Sequence, residues 1–259
     1  MKRILIYAVL LSCPILGCRK KEKLPLIGVY KLEKQRIIGG GTDSTYSRKQ
    51  VKIYTAHNFI YAGMTPDSTV GFAVGTYKPD TGNRIIEHEF FSSFNLKASR
   101  TFKVDITMKD SGYSQKIPDL AVIKGVKYNL IEDYTRLPAG DTSKLDGLWR
   151  MDKAYILKGK DTVNLQNTQY KIFWGGHFLY IHSLPIDKAA TKFKSGFGFG
   201  TFNFKDNMVT EQDQMSNDTG VLNHKFVVKT TFNGNDEYTQ VINFPKNNEQ
   251  SVEIYKRVK

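Results

Sequence analysis

Short runs in which apolar and polar residues alternate follow one another along most of the chain. The segment 102–108 is typical, because its even positions are Phe, Val, Ile and Met and its odd positions are Lys, Asp and Thr. Such alternation indicates a β-strand with one buried face. Turn-forming residues separate the runs, as in 79–83 and 233–236, and no stretch has a convincing helical period. The pattern therefore predicts an all-β protein.

The predicted strands fall into two similar sets. Those of the first half lie near 28–38, 46–55, 58–63, 70–78, 83–92, 100–109, 112–117 and 127–137. Those of the second half lie near 147–158, 162–174, 177–183, 196–204, 207–214, 223–232, 237–244 and 251–258. Eight short strands in each half suggest a closed up-and-down barrel or a flattened sandwich. We predict two tandem antiparallel up-and-down β-barrels of about eight strands each.

An internal repeat supports this division. Residues 28–30, Gly-Val-Tyr, correspond to 147–149, Gly-Leu-Trp, and 50–54, Gln-Val-Lys-Ile-Tyr, correspond to 169–173, Gln-Tyr-Lys-Ile-Phe. The order of these and later matching segments is the same in both halves, which indicates a duplicated domain. The predicted domains are a first barrel at 26–137, a linker at 138–144 and a second barrel at 145–259.

A glycine-spaced strand occurs once in each half, at 71–77 and 196–202. One face of each copy has only Gly or Ala until an aromatic residue at its end, and the other face has Phe, then Val or Phe, then Thr. A strand with so little side chain on one face suits a bend, a close backbone approach or an empty space. The second copy has the barer face, which favours the second barrel if one barrel alone has an open cavity.

The N-terminus predicts export. Residues 1–3 are basic at positions 2 and 3, and 4–16 are mostly apolar but too short to span a bilayer as a permanent helix. The run ends in Ile-Leu-Gly-Cys, which resembles the lipobox of bacterial lipoproteins. That resemblance implies cleavage before Cys18 and lipidation of its thiol. We predict a signal peptide at 1–17 and a charged tether at 18–25; the alternative is an ordinary secretory signal.

Charge and cysteine content narrow the functional classes. Loss of Cys13 with the signal peptide would leave Cys18 as the one cysteine, so an intramolecular disulfide or a cysteine-based zinc site is excluded. The formal net charge is +13. Because the chain is expected to be exported, we predict no nucleic-acid partner; anionic headgroups or acidic glycans are more available, or the charge serves only a solvated surface.

Three residues of the second half resemble the lipocalin-like, or calycin, signature of Gly-x-Trp on the first strand and Arg on the last. They are Gly147, Trp149 and Arg257, and the corresponding residues of the first half are Gly28, Tyr30 and Arg136. The order of the repeated segments also resembles lipocalin-like domains of uncharacterised Gram-negative lipoproteins. The resemblance implies a barrel whose Arg packs over the Trp at its closed end, and a cavity that holds a ligand.

Strand parity then predicts which side chains point into the barrels. It places the Glu-x-Tyr-x-Arg segments 132–136 and 253–257 inside, and also Lys34 and Arg36. Tyr and Arg could hold a ligand carboxylate or phosphate, or the Arg could simply seal the barrel. Aromatic residues could line a lipid pocket or form plain core. The candidate ligand-binding residues are Phe72, Tyr77, Glu132, Tyr134, Phe178, Tyr180, Phe197, Phe199, Phe202, Glu253 and Tyr255.

Two pairs of carboxylates, Glu87 with Glu89 and Glu211 with Asp213, occupy matching positions of the repeat. They could serve acid–base chemistry or hold a hard cation, but a charged row on an alternating strand is usually a solvated face. The five histidines do not have the spacing of a zinc site or a catalytic triad. We therefore predict no catalytic residue, metal or cofactor; a hydrolase that uses the strand carboxylates is the alternative.

Together these features predict a monomeric lipoprotein anchored in the cell envelope through Cys18. It would face the periplasm, with the outer membrane favoured over the inner one. Its predicted function is non-catalytic binding of a small hydrophobic or amphipathic ligand in a barrel cavity. The alternative is an interaction or scaffold module with filled barrels, in which the Gly/Ala face of the glycine strand lies outward as a docking strip.

Overall fold

The protein is built from two closed antiparallel β-barrels in tandem, as the alternation and the repeat predict. The computed structural model describes residues 26–94, 96, 98–187, 189, 192–244 and 249–259. Every regular element in these ranges is a strand. The predicted signal peptide and tether, with Cys13 and Cys18, lie outside the described residues.

The first barrel contains nine strands. They are β1 (Gly28–Gly39), β2 (Thr42–Tyr46), β3 (Lys49–Tyr54), β4 (Asn58–Met64), β5 (Val70–Pro79), β6 (Arg84–Ser92), β7 (Arg100–Lys109), β8 (Gly112–Ile123) and β9 (Val126–Arg136). From β3 to β9 each strand pairs with the next one in the chain, and β9 pairs with β1, which closes the barrel. Strand β3 pairs with residues 28–31 of β1, and β2 pairs with residues 35–39 along the same edge. The two short strands therefore occupy one position of the barrel, which has eight positions in all. The predicted strand 46–55 is thus interrupted at residues 47–48.

The second barrel repeats this arrangement. Its strands are β10 (Gly147–Lys158), β11 (Asp161–Asn164), β12 (Thr168–Trp174), β13 (His177–Pro185), β14 (Phe193–Lys205), β15 (Met208–Ser216), β16 (Lys225–Asn233), β17 (Glu237–Phe244) and β18 (Glu249–Arg257). The pairing of β10 with β18 closes the ring, and β11 and β12 share one place beside β10. The internal repeat is therefore a repeat of complete barrels.

One end of each barrel is closed by an arginine over an aromatic ring. The guanidinium carbon of Arg257 lies 4.0 Å from the centre of the Trp149 ring, and its Nη1 donates to the carbonyl oxygen of Asp146 at 2.7 Å. Gly147 has a φ of +130°, and a Cβ there would overlap the Arg257 guanidinium. Glycine is needed at this position because both its backbone conformation and the space beside it exclude a side chain.

A β-bulge in the first strand of each barrel changes the predicted parity. The pairing of β1 with β9 shifts between Leu32 and Lys34, so the residues beyond the bulge exchange faces. Gln35 therefore reaches the interior, where its amide nitrogen donates to Glu132 at 2.7 Å. The prediction that Lys34 and Arg36 point inward is wrong: Arg36 pairs with Asp43 on the outer side. The matching bulge in β10 lies between residues 151 and 153.

A third apolar core lies between the barrels, beside the core inside each one. Its fully or largely buried members from the first barrel are Val29, Val51, Ile53, Ile60, Ala62, Phe72, Val74 and Phe91. Those from the second barrel are Leu148, Tyr170, Ile172, Leu179, Ile181, Phe197 and Phe199. Strands β4 and β5 contact β13 and β14 across this core. The strands at the contact are therefore buried on both faces.

The two glycine strands, β5 and β14, meet at this inter-barrel core. Phe72 and Val74 of the first barrel and Phe197 and Phe199 of the second point into it. The opposite face of each strand, with the Gly and Ala residues, points into its own barrel, where Gly71 lies against Arg48. The alternative that placed the Gly/Ala face outward as a docking strip is wrong, because the bulky outward face is needed to join the barrels.

Candidate functional site

A group of polar side chains lies inside the first barrel next to its apolar core, and strand β3 shows how they come to point inward. In β3, Val51 and Ile53 pack in the inter-barrel core, so the alternating residues Gln50, Lys52 and Tyr54 point into the barrel. Sequence reasoning missed the inward Lys52, because alternation alone assigns the apolar face to the interior. The repeated Gln-x-Lys-x-aromatic pattern at 169–173 was the available signal.

A buried ion pair lies at the centre of this interior. The Lys52 ammonium is 2.7 Å from Oε1 of Glu87, and both side chains are 2% exposed. Lys52 also donates to the Gln115 amide oxygen at 3.3 Å, and the Tyr54 hydroxyl donates to Glu87. Glu87, Glu89, Glu211 and Asp213 are all buried. The interpretation of these carboxylates as a solvated face is therefore wrong.

The Glu132 carboxylate is the second centre of the network. Its Oε1 accepts hydrogen bonds from the amides of Gln35 at 2.7 Å and Gln50 at 3.1 Å. Its Oε2 accepts from the Gln115 amide at 2.6 Å and the Tyr134 hydroxyl at 3.0 Å. Four donors are the number that the lone pairs of one carboxylate can accept. Glu132 is thus fully satisfied within the protein.

The second barrel contains a corresponding network. Lys171 pairs with Glu211 at 2.5 Å, as Lys52 does with Glu87. Glu253 accepts from Gln240 at 2.7 Å and from the Tyr255 hydroxyl at 2.6 Å. The duplicated positions of these residues mean that the polar interior belongs to the repeated unit and not to one copy.

A cavity of about 280 Å³ opens beside the network in the first barrel. Its polar wall includes Gln50, Lys52, Glu87, Gln115 and Glu132. Its apolar wall includes Ile37, Phe102, Ile117, Leu120 and Leu130. The comparison of the glycine strands favoured the second barrel, whereas this cavity lies in the first. At the second barrel's Gly198 a Cβ would overlap the Tyr180 ring, so that ring covers the bare face there.

Two polar atoms of the cavity lining have no hydrogen-bond partner in the protein. Arg48 donates from Nη2 to the Gly71 carbonyl oxygen at 3.1 Å, but its Nε is buried and unpaired. Glu89 accepts from the Tyr61 hydroxyl at 3.2 Å through Oε1, while its buried Oε2 has no partner. Burial raises the pKa of Glu89 to about 7, although the charge of Arg100 opposes the shift. Buried polar atoms without hydrogen-bond partners are rare, and both of these atoms belong to residues that line the cavity.

Asp213 is the second-barrel counterpart of Glu89. Burial raises its pKa to about 7 as well, and its Oδ1 is buried without a hydrogen-bond partner. The environment that keeps this carboxyl partly protonated near neutral pH is therefore duplicated. Arg48 and Arg100 have no counterparts in the second barrel, because the matching residues there are Asn167 and His224.

The predicted ligand-binding residues divide among four places. Glu132 lines the cavity, and the Tyr134 hydroxyl donates a hydrogen bond to the Glu132 carboxylate. Tyr77 packs in the core of the first barrel, and its hydroxyl donates to the Thr55 carbonyl oxygen at 2.7 Å. Phe178, Tyr180, Phe202, Glu253 and Tyr255 lie in the second barrel. Phe72, Phe197 and Phe199 lie in the inter-barrel core.

Among the described residues, no group of three or more His, Cys, Asp or Glu side chains is placed to hold a metal ion. The same part of the chain has no helix long and apolar enough to cross a membrane. What the cavity offers chemically is one unpaired guanidinium nitrogen, one unpaired carboxyl oxygen and several apolar side chains in the same lining.

Comparisons with known proteins give no family for this chain. No family model matches it, and no curated protein matches it. One solved structure that aligns with the chain is a protein with unknown function from the DUF3598 family, from Nostoc punctiforme. The two are 9% identical, with a TM-score of 0.28, over 90% of this chain and 96% of that one. A TM-score at this level supports no argument, so the tandem-barrel architecture rests on the strand pairing of the chain itself.

Proposed function

We propose that the first barrel binds a small amphipathic molecule without catalysing a reaction on it. The supporting observation is a cavity whose lining contains both unpaired polar atoms, of Arg48 and Glu89, and several apolar side chains. A ligand with a polar end and an apolar body would satisfy the first and cover the second. Glu87 and Glu132 already accept hydrogen bonds from protein donors, so their role is to shape the wall of the cavity.

The cavity volume limits the size of this ligand. About 280 Å³ is the liquid volume of roughly nine water molecules. A single chain or ring of about ten non-hydrogen atoms fills such a space, whereas a phospholipid does not fit within it. The ligand is therefore a short-chain amphiphile or a small planar molecule.

The variant Leu130→Trp tests whether this cavity is the binding site. The indole would fill the space between the apolar wall and the network, so the affinity for 1-naphthylamine, a neutral fluorescent probe small enough for this cavity, should fall at least about tenfold. Probe emission measured during titration reports the binding. Val122→Trp is the matched control: it changes the same pair of strands at a side chain that is 59% exposed, and it should bind the probe as the parent does. Absence of saturable probe binding to the parent protein would refute the proposed function.

We also propose that Cys18 is lipidated and holds the protein in the cell envelope, facing the periplasm, with the outer membrane favoured. The support is the basic, apolar and Ile-Leu-Gly-Cys order of residues 1–18. A tether from 18 to 25 would then precede the first barrel, which begins at the described residue Leu26. An anchored barrel with a small cavity fits a protein that holds amphiphiles near a membrane.

Cys18→Ala is expected to abolish labelling with radioactive palmitate and to move the protein from the membrane fraction to the soluble fraction. The reason is that thioether lipidation requires the thiol. Cys13→Ala is the matched control, since that residue lies in the segment removed by cleavage, and it should leave labelling intact. Labelling that persists in Cys18→Ala, or that disappears in Cys13→Ala, would contradict the lipobox assignment.

A further inference from the structure

The charged side chains of the first-barrel cavity do not all have partners. The cations are Arg48, Lys52 and Arg100, and the carboxylates are Glu87, Glu89 and Glu132. Lys52 is engaged by Glu87 and Gln115, and Glu132 has four donors. Arg100 lies over the Phe102 ring, with its guanidinium carbon 4.7 Å from the ring centre. Among the buried polar atoms of the lining, Arg48 Nε and Glu89 Oε2 remain without a hydrogen-bond partner. They are therefore the atoms with which a ligand's polar end can form new hydrogen bonds.

Glu89 is 4% exposed, and charged side chains on several strands interact with its carboxyl group. Arg100, Glu87, Lys52 and Tyr61 influence the pKa of this carboxyl, and Arg48 and Glu132 line the same cavity. Burial is the largest influence on its pKa and raises it to about 7; Arg100 and Lys52 oppose this, and Glu87 adds to it. When Glu89 is protonated, the cavity has three cations and two carboxylates, which is a surplus of one positive charge.

This surplus of one positive charge determines which charge the ligand's polar end should have. A cationic group would be repelled by two guanidinium groups and an ammonium group in a partly desolvated space. A phosphate monoester has a charge between about −1.5 and −2 near neutral pH, which exceeds the surplus. A carboxylate has a single charge and two acceptor oxygens. One oxygen can accept from Arg48 Nε and the other from the O–H of a protonated Glu89.

We infer that the polar end of the ligand is a carboxylate, held between Arg48 and a protonated Glu89, so that binding above neutral pH is accompanied by uptake of one proton. The inference rests on the proposed function and specifies the class of its ligand: a short-chain carboxylic acid. The O–H bond of protonated Glu89 is the one covalent bond that forms on binding, and it breaks again on release. The proton comes from solvent, resides on Glu89 while the ligand is bound, and returns to solvent when the ligand leaves.

Calorimetric titration with octanoate tests the inference, because this chain length matches the cavity volume. Below the raised pKa of Glu89 the carboxyl is protonated and binding is at full strength; as the pH rises through it, Glu89 ionises and binding weakens. For a group that titrates at about pH 7 in the free protein, affinity should fall about tenfold between about pH 6 and about pH 8. At the higher pH, the measured heat should also vary with the ionisation enthalpy of the buffer, which reports proton uptake.

Two variants separate the roles of the side chains. Glu89→Gln keeps a donor at this position without an ionisable group, so octanoate should bind equally well at both pH values. Arg48→Met should weaken octanoate at least about tenfold and leave binding of the neutral 1-octanol unchanged. Circular dichroism of each variant would establish that it is folded.

The outcomes distinguish this inference from the proposed function. If octanoate, 1-octanol and the neutral fluorescent probe all fail to bind, the proposed function is wrong. If 1-octanol binds as tightly as octanoate, or if octanoate affinity does not change with pH in the parent protein, the carboxylate inference is wrong while the cavity remains a binding site. Tighter binding of octylamine than of octanoate would overturn the inference in the same way.

Discussion

Lys52→Met is expected to lower the free energy of unfolding by about 3–5 kcal/mol, since it leaves the Glu87 carboxylate buried without its cation. The ammonium and the carboxylate are 2.7 Å apart and both side chains are 2% exposed. After the substitution, Glu87 keeps the Tyr54 hydroxyl as a donor but has to be protonated or desolvated as an unpaired charge. Urea denaturation followed by circular dichroism measures the loss.

A surface pair of the same length provides the control. Lys127 and Asp119 are also 2.7 Å apart, but their side chains are 66% and 47% exposed. Lys127→Met should therefore cost about 0–1 kcal/mol. The double variant Lys52→Met with Glu87→Gln removes both charges and should recover much of the stability. A cost of Lys52→Met no greater than that of Lys127→Met would show that the buried pair is not structurally required.

Phe72→Ala is expected to destabilise both barrels, although the residue belongs to the first. The side chain is fully buried in the inter-barrel core, and truncation of a buried phenylalanine costs about 3–5 kcal/mol. Both tryptophans, Trp149 and Trp174, lie in strands of the second barrel, so their fluorescence reports that barrel, and Trp174 also packs against the inter-barrel core. The tryptophan transition in urea should move to lower concentration together with the circular dichroism transition, which reports both barrels.

The exposed Phe94 serves as the comparison for this prediction. It is 59% exposed in the same barrel, and Phe94→Ala should change stability by less than about 0.5 kcal/mol. A Phe72→Ala variant whose tryptophan transition stays in place while the circular dichroism transition moves would contradict the coupling. The barrels would then unfold independently despite their shared core.

Strand positions and the duplication were predictable because both depend on local patterns. Alternation, turn residues and the order of repeated segments are all visible in the sequence, and the structure has strands close to nearly every predicted range. The main differences are 46–55, which is interrupted at residues 47–48, and 162–174, which is interrupted at residues 165–167. These breaks allow β2 and β3 each to pair with part of β1, and β11 and β12 each to pair with part of β10. The interruptions depend on the closure of each ring, which has no local signature.

Which face points inward was not predictable, because the chain has two kinds of buried surface. In β3 both Ile53 and Lys52 are buried, the first between the barrels and the second inside one. Alternation distinguishes the two faces but does not say which is the interior. The bulge in β1 adds a second reversal, which brings Gln35 inward. Arg48 and Arg100 could not be found by comparing the copies, because the second barrel has different residues there.

The contact between the barrels has the form of an isologous interface. Phe72 and Phe197 occupy equivalent positions of the repeat, as do Ile53 and Ile172, and all four lie in the same core. A single barrel would leave this apolar face uncovered, which soluble monomers rarely do. The chain is in this sense a covalent homodimer: the linker keeps the halves at high effective concentration, and the two barrel interiors are free to differ while the shared face stays the same.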